Sequence, residues 1–146
     1  MSVIVPAYNE AGHIADTIVS LLRQSSPADE VIVIDDCSTD DTAAIASTFP
    51  VRVIRPPSNT GSKAGAQKFA LDFVKSDIVV AIDADTVLAP DALETLIGTL
   101  VEHDAAAACG YVLPRFVRTP WERGRYAEYL SRSVSSNASR TPIAAP

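Results

Sequence analysis

Ile78-Val79-Val80-Ala81-Ile82-Asp83-Ala84-Asp85-Thr86 is the stretch on which the fold turns. Five apolar residues without a charge predict a strand buried on both faces, and two carboxylates end it abruptly. Side chains alternate along an extended chain, so Asp83 and Asp85 share one side and small Ala84 takes the other. In an open α/β sheet, ligands bind beyond the carboxyl ends of the strands. Two carboxylates converging there repel each other unless a cation lies between them, and hard divalent metals favour oxygen ligands. Taken alone, this doublet is most simply a polar loop ahead of a helix opening near Pro90.

The same pattern recurs upstream. Ser2-Val3-Ile4-Val5-Pro6 predicts a short buried strand broken by Pro6, and Glu30-Val31-Ile32-Val33-Ile34-Asp35-Asp36 a second apolar strand ending in carboxylates. Val51-Arg52-Val53-Ile54, closed by Pro56-Pro57, predicts a third. Between them, Ile14, Ile18, Leu21 and Leu22 mark one face of a helix from about Glu10 to Gln24. Ser38 and Asp41 match a capping box for a helix ending near Phe49. Another helix is expected from about Lys63 to Lys75 with Phe69, Ala70 and Phe73 inward, and another from Pro90 to about Glu102. Ala105 to Val112 predicts a further strand, Trp121 to Ser133 one helix, and the Ser/Ala/Pro-rich end a frayed tail. Strands alternating with amphipathic helices imply parallel pairing, right-handed crossovers and helices on both faces. The fold class expected is α/β, with a Rossmann-like, mostly parallel sheet.

At 146 residues the chain is one domain's worth, with a core of ordinary size. No apolar run approaches the ~18 residues of a membrane span, and no basic and apolar leader opens the sequence. Cys37 and Cys109 lack metal-type spacing and fit free thiols in a reducing compartment, so a cytoplasmic location is expected. The net charge of −6 is unevenly spread. Through Gly110 there are sixteen acids against six Lys/Arg; from Tyr111 onward, two acids against six arginines. Such an acidic body argues against nucleic acid as a partner, and any phosphate ligand needs a metal or local donors. The basic end fits either phosphates, an anionic membrane surface or a solvated helix face.

Parallel strands bring Asp35-Asp36 and Asp83-Ala84-Asp85 to the same rim of the sheet. Carboxylates there can accept the imino hydrogen of a base or the hydroxyls of a ribose. For Asp35 the alternative is a buried carboxylate satisfied by loop N–H groups; Asp36 is read as a ligand contact. Tyr8 offers a flat ring for stacking on a base, or a cap on the core, while Pro6 and Ala7 hold the backbone stiffly. Glu10 is either a site residue or a helix N-terminal acid. Lys63, after Gly61, could reach a phosphate at a helix N-terminus. The Asn59-Thr60-Gly61-Ser62-Lys63 loop fits neither of the common Gly-rich phosphate motifs.

Taken in series, Val3-Ile4-Val5-Pro6-Ala7-Tyr8-Asn9-Glu10, Val33-Ile34-Asp35-Asp36-Cys37-Ser38-Thr39-Asp40-Asp41-Thr42, Lys63-Ala64-Gly65-Ala66 and Ile82-Asp83-Ala84-Asp85-Thr86 resemble the family 2 glycosyltransferases of the GT-A fold. The resemblance covers roughly Ser2 to Val112. It implies a nucleotide pocket lined by Pro6, Ala7, Tyr8, Glu10, Asp36, Lys63, Asp83 and Ala84, with Asp36 on the base, usually uracil. It implies Asp83 near the ribose and the metal, and Asp85 binding Mg²⁺ or Mn²⁺ on the sugar diphosphate. The partner implied is a nucleoside diphosphate sugar, UDP-linked by expectation, and the reaction an inverting transfer. Cys37 stands where many relatives have Gly or Asn, and Lys68 where many have Asn.

The family's general base lies in an acidic pair well downstream of the D-x-D. Only sixty-one residues follow Asp85, with Glu122 and Glu128 their last acids, and no second pair is found. Gly110 to Tyr129, with Pro114-Arg115 and Trp121-Glu122-Arg123, looks like the segment preceding the acceptor half of membrane-bound polysaccharide synthases. The division expected is therefore a donor-binding part, residues 1–112, and an incomplete acceptor-side segment, residues 113–146, with a flexible tail. Two functions stand side by side: a glycosyltransferase whose base lies elsewhere, and a nucleotide-sugar-binding module without turnover. Membrane association is expected only through parts outside this chain, and an unfinished sheet edge leaves self-association open. Nucleotidyltransferase and response-regulator readings fit less well, since the first strand lacks a Gly-rich phosphate loop and the acidic pairs follow the second and fourth strands.

Overall fold

The computed structural model describes residues 1–110, nearly all of them in one compact unit, Met1–Ala106. Strands β1 (Ser2–Ala7), β2 (Glu30–Asp35), β3 (Arg52–Ile54) and β4 (Val79–Ala81) alternate with helices α1 (Ile14–Leu22), α2 (Thr42–Ala46), α3 (Lys63–Leu71) and α4 (Ala92–Glu102). The sheet order is β3-β2-β1-β4, with every pair parallel. The chain thus steps outward from β1 through β2 to β3, then crosses back to place β4 on the other side of β1. The sequence reverses direction between β1 and β4, and in this class of sheet that reversal opens a crevice.

Period-two alternation divides the core. Val3, Val5, Ala7, Val31 and Val33 face Ile14, Ile18 and Leu21 of α1 and Ala46 of α2, with Leu93 of α4 in the same cluster. Ile4, Ile32 and Ile34 face the opposite side, against Ala66 and Ala70 of α3. The small side chains of α3 let it lie close to the sheet, while Phe69 and Phe73 flank that contact with ring centroids 5.1 Å apart. Leu22, expected on the inner face of α1, is exposed, because it lies beyond the arc that Ile14, Ile18 and Leu21 define.

Several expected boundaries move for physical reasons. β1 does not break at Pro6 but runs to Ala7. The Ile4 carbonyl accepts from Ile82 N–H, and the Ala7 carbonyl accepts from Asp36 N–H. Alternation therefore turns Pro6 toward the β4 side, beyond the point where β4 stops pairing at Ile4, so its missing N–H costs no ladder bond. β4 is shorter than expected and is not buried on both faces. It is the edge strand of the described sheet, and Val79 is exposed. Residues 105–110 are not a strand, their run of alanines offering little apolar surface to bury. The expected boundary after residue 112, the segment 113–146 and its helix lie outside the described residues. No described helix is long and apolar enough to cross a membrane.

Candidate functional site

A cleft of about 270 Å³ opens at the carboxyl ends of β1, β2 and β4. All nine residues singled out in the sequence line it: Pro6, Ala7, Tyr8 and Glu10 from the end of β1 onward, Asp36 after β2, Lys63 at the start of α3, and Asp83, Ala84 and Asp85 after β4. Ala66, one turn into α3, completes the wall. Elements as much as seventy-nine positions apart in the chain converge because parallel pairing brings all three strand ends to one rim.

Each wall is braced differently. The loops after β1 and β2 are laced together: Asn9 N–H donates to Ser38 Oγ (3.0 Å), Glu10 N–H to Thr42 Oγ1 (2.8 Å), and Ala11 N–H to Asp40 Oδ2 (3.0 Å). Thr39 N–H donates back to Asn9 Oδ1 (2.8 Å), with Asn9 in the left-handed region that asparagine tolerates. Ser38 and Asp41 therefore do not form a capping box. Helix α2 begins only at Thr42, and Ser38 is spent on holding the neighbouring loop. Asp40 accepts from Thr42 as well as from Ala11, and the Thr42 hydroxyl is the main reason its carboxyl sits below the usual carboxylate range. Tyr8 does not cap the core; the residue is 52% exposed and lines the cleft.

Asp35 and Asp36 separate into two roles. Asp35 is fully buried, its Oδ1 accepting from Ser38 N–H at 3.2 Å. Arg55 Nε lies 3.1 Å from Oδ2 but outside hydrogen-bonding alignment, so that oxygen is neutralised by charge without being hydrogen-bonded. Arg55 also donates to the Ser38 carbonyl at 2.6 Å, fastening the loop from outside. Asp35 is thus the buried carboxylate of the two readings, and Asp36 is the one that reaches the cleft. Asp36 is itself gripped: Thr60 donates through its N–H to Oδ1 (2.7 Å) and through its hydroxyl to Oδ2 (2.8 Å), and Asn59 Nδ2 donates to the Asp36 carbonyl (2.7 Å). A carboxylate has lone pairs to spare beyond two such bonds, so Asp36 can still accept from a ligand.

The loop that grips Asp36 is held by α3. Ser62 caps the helix, its Oγ accepting from Gly65 N–H at 3.1 Å. A Cβ on Gly65 would lie 2.9 Å from the side chain and carbonyl of Thr60, so only glycine lets the loop come this close. Lys63, the first residue of α3, extends across the cleft to pair with Asp83 Oδ1. Ala84 is buried while Asp83 and Asp85 are exposed, the expected burial pattern, but the chain there is a turn closed by Thr86 N–H on the Asp83 carbonyl and not the extended strand expected. No hydrogen bond or ion pair among the described residues engages Asp85.

The donor set fits a hard divalent cation. Among the described residues no cluster of three or more acids, histidines or cysteines forms a full cage. Magnesium-type sites instead take one or two carboxylates and complete their shell with water and substrate phosphates. Asp83 and Asp85 supply that pair of carboxylates on an open rim.

The model of the Glycosyl transferase family 2 matches residues 2–142. The chain belongs to that family. TuaG of Bacillus subtilis, named for teichuronic acid biosynthesis, is 33% identical over 92% of this chain and 58% of its own length. The poly(ribitol-phosphate) β-N-acetylglucosaminyltransferase TarS of Staphylococcus aureus is 32% identical over 70% of this chain and 19% of its own. The chain thus spans well under two thirds of the length of these relatives. Among solved structures, TarS 1–349 in complex with UDP superposes with a TM-score of 0.64 at 31% identity, covering 70% of this chain and 32% of that one. The mannosyltransferase PcManGT of Pyrobaculum calidifontis, in complex with GDP-Man and Mn²⁺, superposes at 0.62 with 35% identity over 68% and 31%. The described fold is a Rossmann-like α/β layer shared with these GT-A enzymes.

Sequence reasoning missed the residues that hold the site rather than line it: Arg55, Thr60, and a buried polar stripe on α1. A lone arginine between an apolar strand and Pro56-Pro57 was a signal for the first. Thr17, Ser20 and Gln24, at helical spacing beside the apolar stripe, were a signal for the last.

Proposed function

We propose that this chain is the donor-binding part of a family 2 glycosyltransferase that uses a nucleoside diphosphate sugar, UDP-linked by preference, with Mg²⁺ or Mn²⁺. The observation that carries this reading is the convergence of Tyr8, Asp36, Lys63, Asp83 and Asp85 on one cleft at the β1/β4 reversal. In this reading the exposed Tyr8 would stack on the base, and Asp36, held by Thr60, would accept from its imino hydrogen. Asp83 would meet the ribose and the cation, and Asp85 the cation. A bound cation would supply Lewis-acid stabilisation of the negative charge that builds on the leaving diphosphate. The Lys63 ammonium, now on Asp83, is within the same cleft as that diphosphate and can exchange one anion for the other. Complexes of relatives with UDP and with GDP-Man and Mn²⁺ support nucleotide-sugar use and a divalent metal.

Inverting transfer needs a carboxylate to deprotonate the acceptor. The cleft's four acids, Glu10, Asp36, Asp83 and Asp85, are nucleotide- or metal-side groups in this reading, so we place that base outside residues 1–110. That observation keeps a second reading alive, a module that binds the donor without turning it over. Titration calorimetry of the chain with UDP, with and without Mn²⁺, tests the site, and a donor-hydrolysis assay separates the two readings. Mn²⁺-dependent UDP binding that Asp85→Ala abolishes supports the site. Binding without sugar release favours the module. No UDP binding, with Asp85→Ala indistinguishable from the parent chain, refutes both.

A further inference from the structure

The segment after β4 is not secured by the sheet. Its last ladder bond is Ile82 N–H to the Ile4 carbonyl, and beyond it two tight turns are internal, Thr86 N–H to the Asp83 carbonyl and Ala92 N–H to the Ala89 carbonyl. Residues 84–93 are tied to one buried polar face of α1 and the turn after it, where Ser25 N–H also donates to the Pro90 carbonyl at 2.8 Å, while Ala84, Leu88 and Leu93 pack in the core. Thr17 Oγ1 donates to the Ala84 carbonyl at 2.7 Å. Ser20 Oγ accepts from Leu88 N–H at 3.1 Å. Gln24 donates through Nε2 to the Ala89 carbonyl (2.7 Å) and accepts at Oε1 from Leu93 N–H (3.0 Å). All three side chains are buried, at spacings of three and four residues that put them on one side of a helix.

Thr17 occupies the decisive place in this row. Its acceptor is the carbonyl of the residue between the two carboxylates, and Thr17 itself is fully buried. A hydroxyl has one proton to give. The next acceptor within reach, the His13 carbonyl, is at 3.5 Å, so the proton goes to Ala84. That bond fixes the Ala84–Asp85 peptide plane, which carries Asp85 directly and so sets its direction relative to Asp83, two residues before it. We infer that Thr17 is a positioning residue for the cation: its hydroxyl sets the separation at which Asp83 and Asp85 can share one divalent ion. This rests on the donor-site reading above and adds to it the group that aims the metal ligands.

Partners that orient metal ligands commonly change metal affinity by about 10- to 100-fold when removed. Thr17→Val keeps the shape and deletes the proton; Thr17→Ser keeps the proton. The measurement is Mn²⁺ affinity in the presence of saturating UDP, read by electron paramagnetic resonance, beside UDP affinity without metal and a urea midpoint for each variant. Thr17→Val is expected to weaken Mn²⁺ about tenfold with metal-free UDP binding unchanged, and Thr17→Ser to stay within about twofold of the parent. Ser20→Ala loosens the same segment farther from the acids and is expected to lower the urea midpoint without moving Mn²⁺ affinity. A folded Thr17→Val with parental Mn²⁺ affinity overturns the inference, as does a Ser20→Ala that weakens Mn²⁺ equally. Should Thr17→Val not fold, Thr17→Cys, of similar shape with a weaker donor, is expected to lose affinity partway, and parental affinity there overturns it too. A parent chain that shows no UDP-dependent Mn²⁺ binding refutes the donor-site reading itself, a different result from any of these.

Discussion

Gly65→Ala and Gly98→Ala are the same substitution within two helices, and the structure gives them opposite signs. In a helix interior, replacing Gly by Ala is worth about 0.5–1 kcal/mol of stability, through the freedom the unfolded chain no longer has to lose. Gly98 of α4 has nothing within 4 Å of where a Cβ would go, so that gain is expected in full. At Gly65 the new Cβ falls 2.9 Å from Thr60 Cβ, carbonyl oxygen and Oγ1. Ordinary carbon–carbon contact is about 3.5–4.0 Å, so the Thr60 backbone must retreat by roughly half an ångström or more. Overpacking of this kind costs about 1–3 kcal/mol. The retreat also stretches two bonds from Thr60 to the Asp36 carboxylate, each of a kind worth about 1.5–3 kcal/mol when fully made. With partial stretching set against the helical gain, Gly65→Ala is expected to lose about 1–3 kcal/mol net. For a unit of this size that lowers the melting temperature by about 4–10 °C, whereas Gly98→Ala raises it by about 2–3 °C. Thermal and urea unfolding of both variants, with UDP titration alongside, is the assay. UDP affinity should fall in Gly65→Ala, since Asp36 loses its grip, and stay unchanged in Gly98→Ala. Gly65→Ala as stable as the parent, or a destabilised Gly98→Ala, would refute the reasoning.

Two further outcomes are expected. Cys37 has a φ of 62°, a left-handed conformation that costs an ordinary residue about 1–2 kcal/mol, so Cys37→Gly should leave a net gain of about 0.5 kcal/mol after the added chain entropy, visible as a small rise in the urea midpoint; a fall would argue that the Sγ contact with the Pro56 carbonyl matters more than the strain. Lys63→Met removes the ammonium from Asp83, an exposed pair worth at most about 1 kcal/mol, so Mn²⁺ added without nucleotide should bind up to about fivefold tighter while UDP binds more weakly; weaker Mn²⁺ binding in that variant would contradict the exchange of anions proposed for Lys63.

The sheet and the lining of the cleft were legible because both are written in local patterns. Apolar runs such as Val31 to Ile34 announce strands, the acids after them mark the rim, and parallel pairing then forces Tyr8, Asp36 and Asp83 together. What was not legible depends on partners distant in sequence. Whether Pro6 ends a strand depends on which neighbour its amide would face, and that is a property of β4. Ser38 and Asp41 have the spacing of a cap, but the Asn9 loop competes for the serine and wins. Val79 looks as buried as Val33 until the sheet order puts one at the edge and the other at the centre. Thr17 and Thr60 carry no motif at all; their importance comes from a carbonyl and a carboxylate more than twenty residues away.

The step between β1 and β4 has one more consequence. β1 continues three residues past the end of its pairing with β4, leaving a notch whose floor is backbone. At an open sheet margin an extended peptide can add itself as an extra strand by bonding to unpaired backbone groups. Pro6 is the residue whose amide would face the intruder, and it has no hydrogen to lend. A visiting strand would find its first acceptor unanswered. The proline thus leaves that margin of β1 without a backbone donor.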